Sequence, residues 1–106
     1  MLNLNIKQYE AVNWNKPTSE LAKVFWDQQW KQMWFPEEIA VSKDLKQWKD
    51  FEHQDTYKKV FGGLTLLDTL QTNIGMNEIA KHNPDLQEKA VLTVFGAFEA
   101  IHAKSY

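Results

Sequence analysis

The sequence predicts an all-α fold, and three observations indicate it. Apolar residues recur at helical spacing along the chain, and no segment of the 106 residues alternates as a half-buried strand would. Capping residues or prolines bound the apolar segments, which is how helices begin and end. The length suits one domain with a modest core, so we expect a single helical domain over residues 1–106.

Two helices are predicted in the first half of the chain, after an irregular arm. The arm extends to about Pro17, which suits a helix entry. The first helix is predicted over residues 18–34, because Pro36 disfavours helical backbone in the residue before it. Ser42 can cap a second, short helix that extends to Trp48.

Two longer helices are predicted in the second half. One extends from about Gln54 to Ala80, and its glycine pair at 62–63 permits a bend or the close approach of another helix. The last helix follows Asn83 and Pro84, a capping residue and a proline at the first helical position. No Gly, Asn or Pro follows near the end of the sequence, so we expect the sequence to end in the middle of this helix.

Composition argues against several classes of function. Without cysteine, neither a disulfide framework nor a thiolate metal site can form. Acidic residues outnumber basic residues 14 to 12, which argues against nucleic-acid binding through a basic surface. No apolar run is long enough to span a membrane, and no signal-peptide pattern is present. We therefore expect a cytoplasmic protein that binds neither nucleic acid nor a membrane.

The strongest functional signal is the triplet Glu99, His102 and Tyr106. Steps of three and seven residues place the three side chains on one stripe of a helix. A carboxylate and an imidazole at i and i+3 can bind the same metal ion, as in dimetal helix bundles, and the tyrosine leans back toward that position. The alternative is a Glu and a His on a partly exposed face beside an ordinary amphipathic tyrosine. Phe95 and Leu92 continue the stripe and favour a buried metal or a paired charge.

A further carboxylate, Asp68, lies in the most apolar stretch of the central chain. The helical pattern continues past it, so it does not cap a helix. An aspartate among leucines is either a paired structural residue or a metal ligand, and the pattern leaves both open.

An ordered set of segments resembles one known family. The segments are Ala11–Asn15, Trp34–Leu45, Gln54–Tyr57, Gly63–Thr69 and Ile101–Tyr106. They are similar to the small, radical-generating subunit of ribonucleotide reductase, closest to the class Ib type. The separation of 31 residues between Asp68 and Glu99 also matches the family spacing of its first two metal ligands.

The resemblance implies a ferritin-like helical bundle, of which this sequence matches the N-terminal portion. It implies that Asp68, Glu99 and His102 bind metal, as about half of the ligands of a dinuclear iron or manganese cofactor. Tyr106 then corresponds to the tyrosine that carries the stable radical. Phe95, Phe98 and the leucines around Asp68 can supply part of a dry wall around that radical.

Trp34 has two interpretations. The resemblance implies that it lies on the electron-transfer route between the radical site and the large subunit. Its spacing of four residues from Trp30, which follows Trp26 by the same step, is also typical of an aromatic helix face that only packs.

The resemblance also implies partners. These are a complementing C-terminal part of the small subunit, the large subunit that reduces ribonucleotides to deoxyribonucleotides, a second small subunit in a homodimer, and a flavodoxin-like activating protein if the metal is manganese. Two alternatives remain: a non-catalytic helical interaction domain derived from this fold, and another ferritin-like dimetal oxidase. Tyr106 and the segment Trp34–Glu38 argue against the second.

Overall fold

The computed structural model describes residues 10–106, and that part of the chain is helical with no strand, which confirms the all-α prediction. The elements in chain order are α1 (Glu20–Gln32), two 3₁₀ turns (Pro36–Glu38 and Ser42–Asp44), α2 (Leu45–Lys49), α3 (Gln54–Leu70), a π-helical segment (Gln71–Gly75), α4 (Met76–His82) and α5 (Leu86–Ser105). Among these helices, none combines the length and apolar character needed to cross a membrane.

Helix α1 is shorter at both ends than predicted. Ser19 is its N-cap, and the Ser19 hydroxyl accepts a hydrogen bond from the Ala22 amide at 3.2 Å. The helix ends at Gln32 because Met33 adopts extended backbone, with φ −65° and ψ 136°. Trp34 therefore lies beyond the helix and is free to contact another element.

Helices α3 and α4 form the long helix that was predicted, but a π-helical segment interrupts it. The Met76 amide donates to the Gln71 carbonyl, five residues back, and the helix continues to His82. Within this segment the Thr72 hydroxyl donates to the Gly96 carbonyl of α5 at 3.1 Å. The π-helical segment is therefore tied directly to α5.

The glycine pair of α3 has no neighbour in the described part of the chain. A Cβ atom added at Gly62 or Gly63 would have no heavy atom within 4 Å. The close approach that the pair permits is therefore not made by residues 10–106.

Helix α5 is the centre of the fold and packs against α1, α3 and α4. Its N-cap is Asp85, whose Oδ1 accepts hydrogen bonds from the Gln87 and Glu88 amides at 2.8 and 2.9 Å. The Thr18 side chain and these two amides hydrogen-bond the Asp85 carboxylate and lower its pKa.

The core of the described chain is thin. Its buried apolar residues are Ala22, Val91, Val94 and Phe98. Helix α3 contributes no buried residue, and Leu66 and Leu67 are 60% and 59% exposed. One broad apolar surface on α3 therefore faces away from the rest of the described chain.

Candidate metal centre

Helices α3 and α5 bring together the three predicted ligands. Asp68 of α3 lies beside Glu99 and His102 of α5, and one ligand atom from each lies within 4.8 Å of the other two. The Glu99 Oε2 and His102 Nδ1 atoms are 3.5 Å apart. All three residues are half-buried, Asp68 on α3 and Glu99 and His102 on α5. The short-range spacing of Glu99 and His102 and the long-range approach of Asp68 thus converge on one site.

The donor set fits a divalent metal ion. Two carboxylates this close repel each other, and a cation between them would offset the repulsion. Carboxylate oxygen together with imidazole nitrogen suits iron and manganese, whereas a thiolate set would suit softer ions. Three donors leave coordination positions open, so the residues can hold part of a metal centre but not a complete one.

Tyr106 lies next to the same carboxylates. Partial burial of its ring raises the pKa of the Tyr106 phenol, and the negative charges of Asp68 and Glu99 and a hydrogen bond with Asp68 raise it further. The phenol is therefore neutral at physiological pH and carries the proton that an oxidation would have to remove.

Within residues 10–106, the Tyr106 ring packs against Phe61, a residue that the sequence did not single out. Phe61 stacks on the tyrosine with ring centroids 5.9 Å apart and an interplanar angle of 27°. Phe95 and Phe98 instead pack edge-on against Phe25 and Trp30 of α1. Phe61 lies two helical turns before Asp68 on the same stripe of α3, which is the sequence signal that could have identified it.

Trp34 stacks on His102 and does not continue the tryptophan face of α1. The two ring centroids are 5.1 Å apart, and the ring planes differ by 15°. Near this stack an ion pair between Glu37 and Lys104, at 3.5 Å, links the first 3₁₀ turn to the last turn of α5. The interpretation of Trp34 as one more member of the α1 stack is therefore wrong, because the helix ends before it.

Gln87 is a buried polar residue that sequence reasoning missed. It is 2% exposed, and its Nε2 donates to the Asn13 and Lys16 carbonyls at 2.9 and 3.0 Å. Its Oε1 accepts from the Thr18 amide at 3.2 Å. These bonds fasten the N-terminal arm to α5. No signal marked Gln87 in the sequence, because a glutamine in the first turn of a helix is usually solvated.

Comparison with known proteins identifies similar chains. The pattern of the family "Ribonucleotide reductase, small chain" matches residues 11–106. Ribonucleoside-diphosphate reductase subunit beta of Bacillus subtilis is 50% identical over 103 residues, which are 94% of this chain and 31% of that protein. The Escherichia coli protein named ribonucleoside-diphosphate reductase 2 subunit beta is 34% identical over 105 residues, 97% of this chain and 33% of that protein.

A solved structure is similar as well. The crystal structure of Streptococcus sanguinis dimanganese(II)-NrdF superposes with a TM-score of 0.87 and 40% identity, over 93% of this chain and 36% of that one. The chain therefore spans about a third of the length of the relatives that it matches.

Proposed function

Because the chain belongs to the family of ribonucleotide reductase small chains, we propose that it is the N-terminal part of a small subunit that generates the radical used in a separate large subunit to reduce ribonucleotides to deoxyribonucleotides. The observation that carries this proposal is the convergence of Asp68, Glu99 and His102 beside Tyr106. Two carboxylates, an imidazole and a neutral phenol are the groups that metal-driven radical generation requires, whereas a purely structural helix bundle requires none of them.

Asp68, Glu99 and His102 would hold the metal through carboxylate oxygens and one imidazole nitrogen. When bound, a dinuclear iron or manganese cofactor supplies the oxidising power that amino-acid side chains lack. The packed helices α3 and α5 orient the three donors and keep part of the site away from water. The remaining ligands would come from the C-terminal part of the subunit.

Tyr106 would carry the radical, and Trp34 would connect the site to the large subunit. Oxidation would take one electron from Tyr106 to the bound cofactor and leave the phenolic proton beside the Asp68 carboxylate, which is a hydrogen-bond partner of the phenol. The face-to-face contact between Trp34 and His102 gives an electron a short path between aromatic systems.

The exposed apolar surface supports the need for a complementing part. On α3, Leu66, Leu67 and Leu70 are 60%, 59% and 44% exposed. Large exposed apolar patches mark interfaces. In the Bacillus subtilis relative, the part of the protein outside the match is about twice as long as the matched part. We therefore propose that the C-terminal part covers this surface. The large subunit, a second small subunit and, with manganese, a flavodoxin-like activator complete the set of partners.

Metal analysis of the assembled subunit, meaning this chain bound to its C-terminal part, tests the ligands. We expect two manganese or iron ions per assembled subunit, and fewer in Asp68→Ala and in His102→Ala. His82→Ala is the matched control, because His82 is an exposed histidine of α4 outside the cluster. Unchanged metal content in both ligand variants would reject the assignment.

Electron paramagnetic resonance tests the radical. After oxidative activation we expect a tyrosyl signal that Tyr106→Phe removes without changing metal content, because the ring is kept and no ligand is altered. Tyr57→Phe on α3 is the control and should keep the signal. Trp34→Phe should also keep the signal while lowering ribonucleotide reduction with the large subunit. A tyrosyl signal that persists in Tyr106→Phe would place the radical elsewhere.

The exposed apolar surface also favours a second candidate, a non-catalytic interaction domain derived from this fold. Such a domain would bind the same C-terminal part without taking up metal. Stable association with less than one metal ion per assembled subunit would therefore support the second candidate over the first.

A further inference from the structure

Within residues 10–106, Tyr106 is held at its backbone, at its hydroxyl and at one face of its ring. The residue is 44% exposed, and its backbone amide closes the last turn of the helix by donating to the His102 carbonyl at 3.2 Å. Its hydroxyl lies near Asp68, whose charge and hydrogen bond raise the pKa of the phenol. A hydrogen bond at the hydroxyl alone leaves the ring able to turn about its long axis, so the plane of the ring requires a second contact.

Phe61 supplies that contact within the described part of the chain. Its ring lies nearly parallel to the Tyr106 ring, with centroids 5.9 Å apart. Phe61 and Asp68 are seven residues apart on α3, so one helix holds both the face and the hydroxyl end of the tyrosine. The Tyr106 ring therefore packs on the same helix that carries the candidate metal ligand Asp68.

Phe61 is itself supported by a row of aromatic side chains. Tyr57, one turn earlier on α3, packs against Phe61 with centroids 6.0 Å apart. Tyr57 in turn contacts Phe51 at 5.2 Å and Trp48 of α2 at 6.4 Å. Rings packed on one another have few free rotamers, so this row limits how far Phe61 can move away from the tyrosine.

We propose that Phe61 is a positioning residue that sets the rotation of the Tyr106 ring about its Cβ–Cγ bond. The inference rests on the proposed function, because ring orientation matters here only if Tyr106 is oxidised. With the plane held, the phenol keeps one geometry toward Asp68 and toward the metal ligands. Without Phe61, the ring samples several angles and loses the aromatic cover of that face.

The angle of the ring can be measured directly. In a tyrosyl radical, the coupling of the unpaired electron to each Cβ proton depends on the angle between that C–H bond and the ring plane. The hyperfine pattern of the electron paramagnetic resonance signal therefore reports the orientation of the ring. A general loss of protein stability does not shift the Cβ proton splitting in a defined direction. The experiment compares this pattern in the assembled, activated subunit for the unmodified protein and for Phe61→Leu.

We expect Phe61→Leu to shift or broaden the Cβ proton splitting and to shorten the lifetime of the radical at least threefold, with two metal ions still bound. Phe61→Met, which keeps the length of the side chain, provides a second variant if the first assembles poorly. Phe95→Leu is the matched control, because it makes the same change on α5 at a residue that packs on Phe25. It should leave the pattern unchanged.

Two results separate failure of this inference from failure of the proposed function. A Tyr106 radical with the same splitting in Phe61→Leu, Phe61→Met and the unmodified protein would overturn the positioning role alone. A missing tyrosyl signal in the unmodified subunit, or a signal that persists in Tyr106→Phe, would overturn the proposed function and this inference with it.

Discussion

Replacement of Gln87 by methionine should release the N-terminal arm from α5. Methionine has nearly the same length and volume as glutamine, so the cavity term is small. What it lacks is the amide, which makes three hydrogen bonds with the Asn13 and Lys16 carbonyls and the Thr18 amide. The substitution therefore isolates the contribution of these bonds to stability.

The size of the effect follows from the three partners that lose their hydrogen bonds. All three bonds are partly buried, at 2.9, 3.0 and 3.2 Å. A buried donor or acceptor left without a partner costs about 1 kcal/mol at the lower end of the measured range. Three such groups give about 3 kcal/mol, which is roughly a hundredfold change in the equilibrium between attached and released arm.

Hydrogen exchange and urea unfolding measure the local and the global parts of this effect. The Thr18 amide should exchange up to about a hundredfold faster in Gln87→Met, because its acceptor is gone. Gln28→Met is the matched control at an exposed position of α1, and it should change the free energy of unfolding by less than about 0.5 kcal/mol. Equal Thr18 exchange rates in the two variants would refute the reasoning, because the arm would then be held by other contacts, such as the Trp14 ring on Trp26 at 5.0 Å.

Three further predictions concern the helices. Ser19→Ala removes the N-cap of α1 and should lower the free energy of unfolding by about 1 kcal/mol in urea titrations, whereas Ser19→Asp should retain most of the stability. Because hydrogen bonds from the Thr18 side chain and two backbone amides lower the folded-state pKa of Asp85, its contribution is present above the unfolded-state pKa of about 3.9 and is lost as the pH falls through the lower folded-state value. The stability difference between the unmodified protein and Asp85→Asn should therefore shrink on acidification below about pH 4, and a constant difference would contradict this. Gly62→Ala should raise the thermal midpoint of the chain by the equivalent of about 0.5–1 kcal/mol, since alanine favours helix and a Cβ atom there meets nothing; a lower midpoint would show that the position is crowded.

Local patterns predicted most of the secondary structure and half of the candidate site. The pair Asn83–Pro84 predicted the start of α5 to within a few residues of its N-cap, Asp85. This was possible because capping depends on side chains that lie beside the helix end. The proximity of Glu99 to His102 was predictable for the same reason, since residues three apart share one helix face in any context. The contact of Asp68 with this pair was expected only through the family resemblance.

Tertiary packing decided the features that join separate helices. The π-helical segment at Gln71–Gly75 has hydrogen bonds that a short sequence does not favour by itself, and it occurs where Thr72 binds the α5 backbone. Helical periodicity places Phe61 and Asp68 on one stripe, but it does not state which residue of another helix that stripe meets. That depends on the rotation and axial position of α3 against α5, which the packing of all their side chains sets together. The sequence by itself therefore determined the helices and the chemistry available on each face. Only the tertiary structure decided that Phe61 rather than Phe95 lies against Tyr106, and that Trp34 leaves α1 to stack on His102.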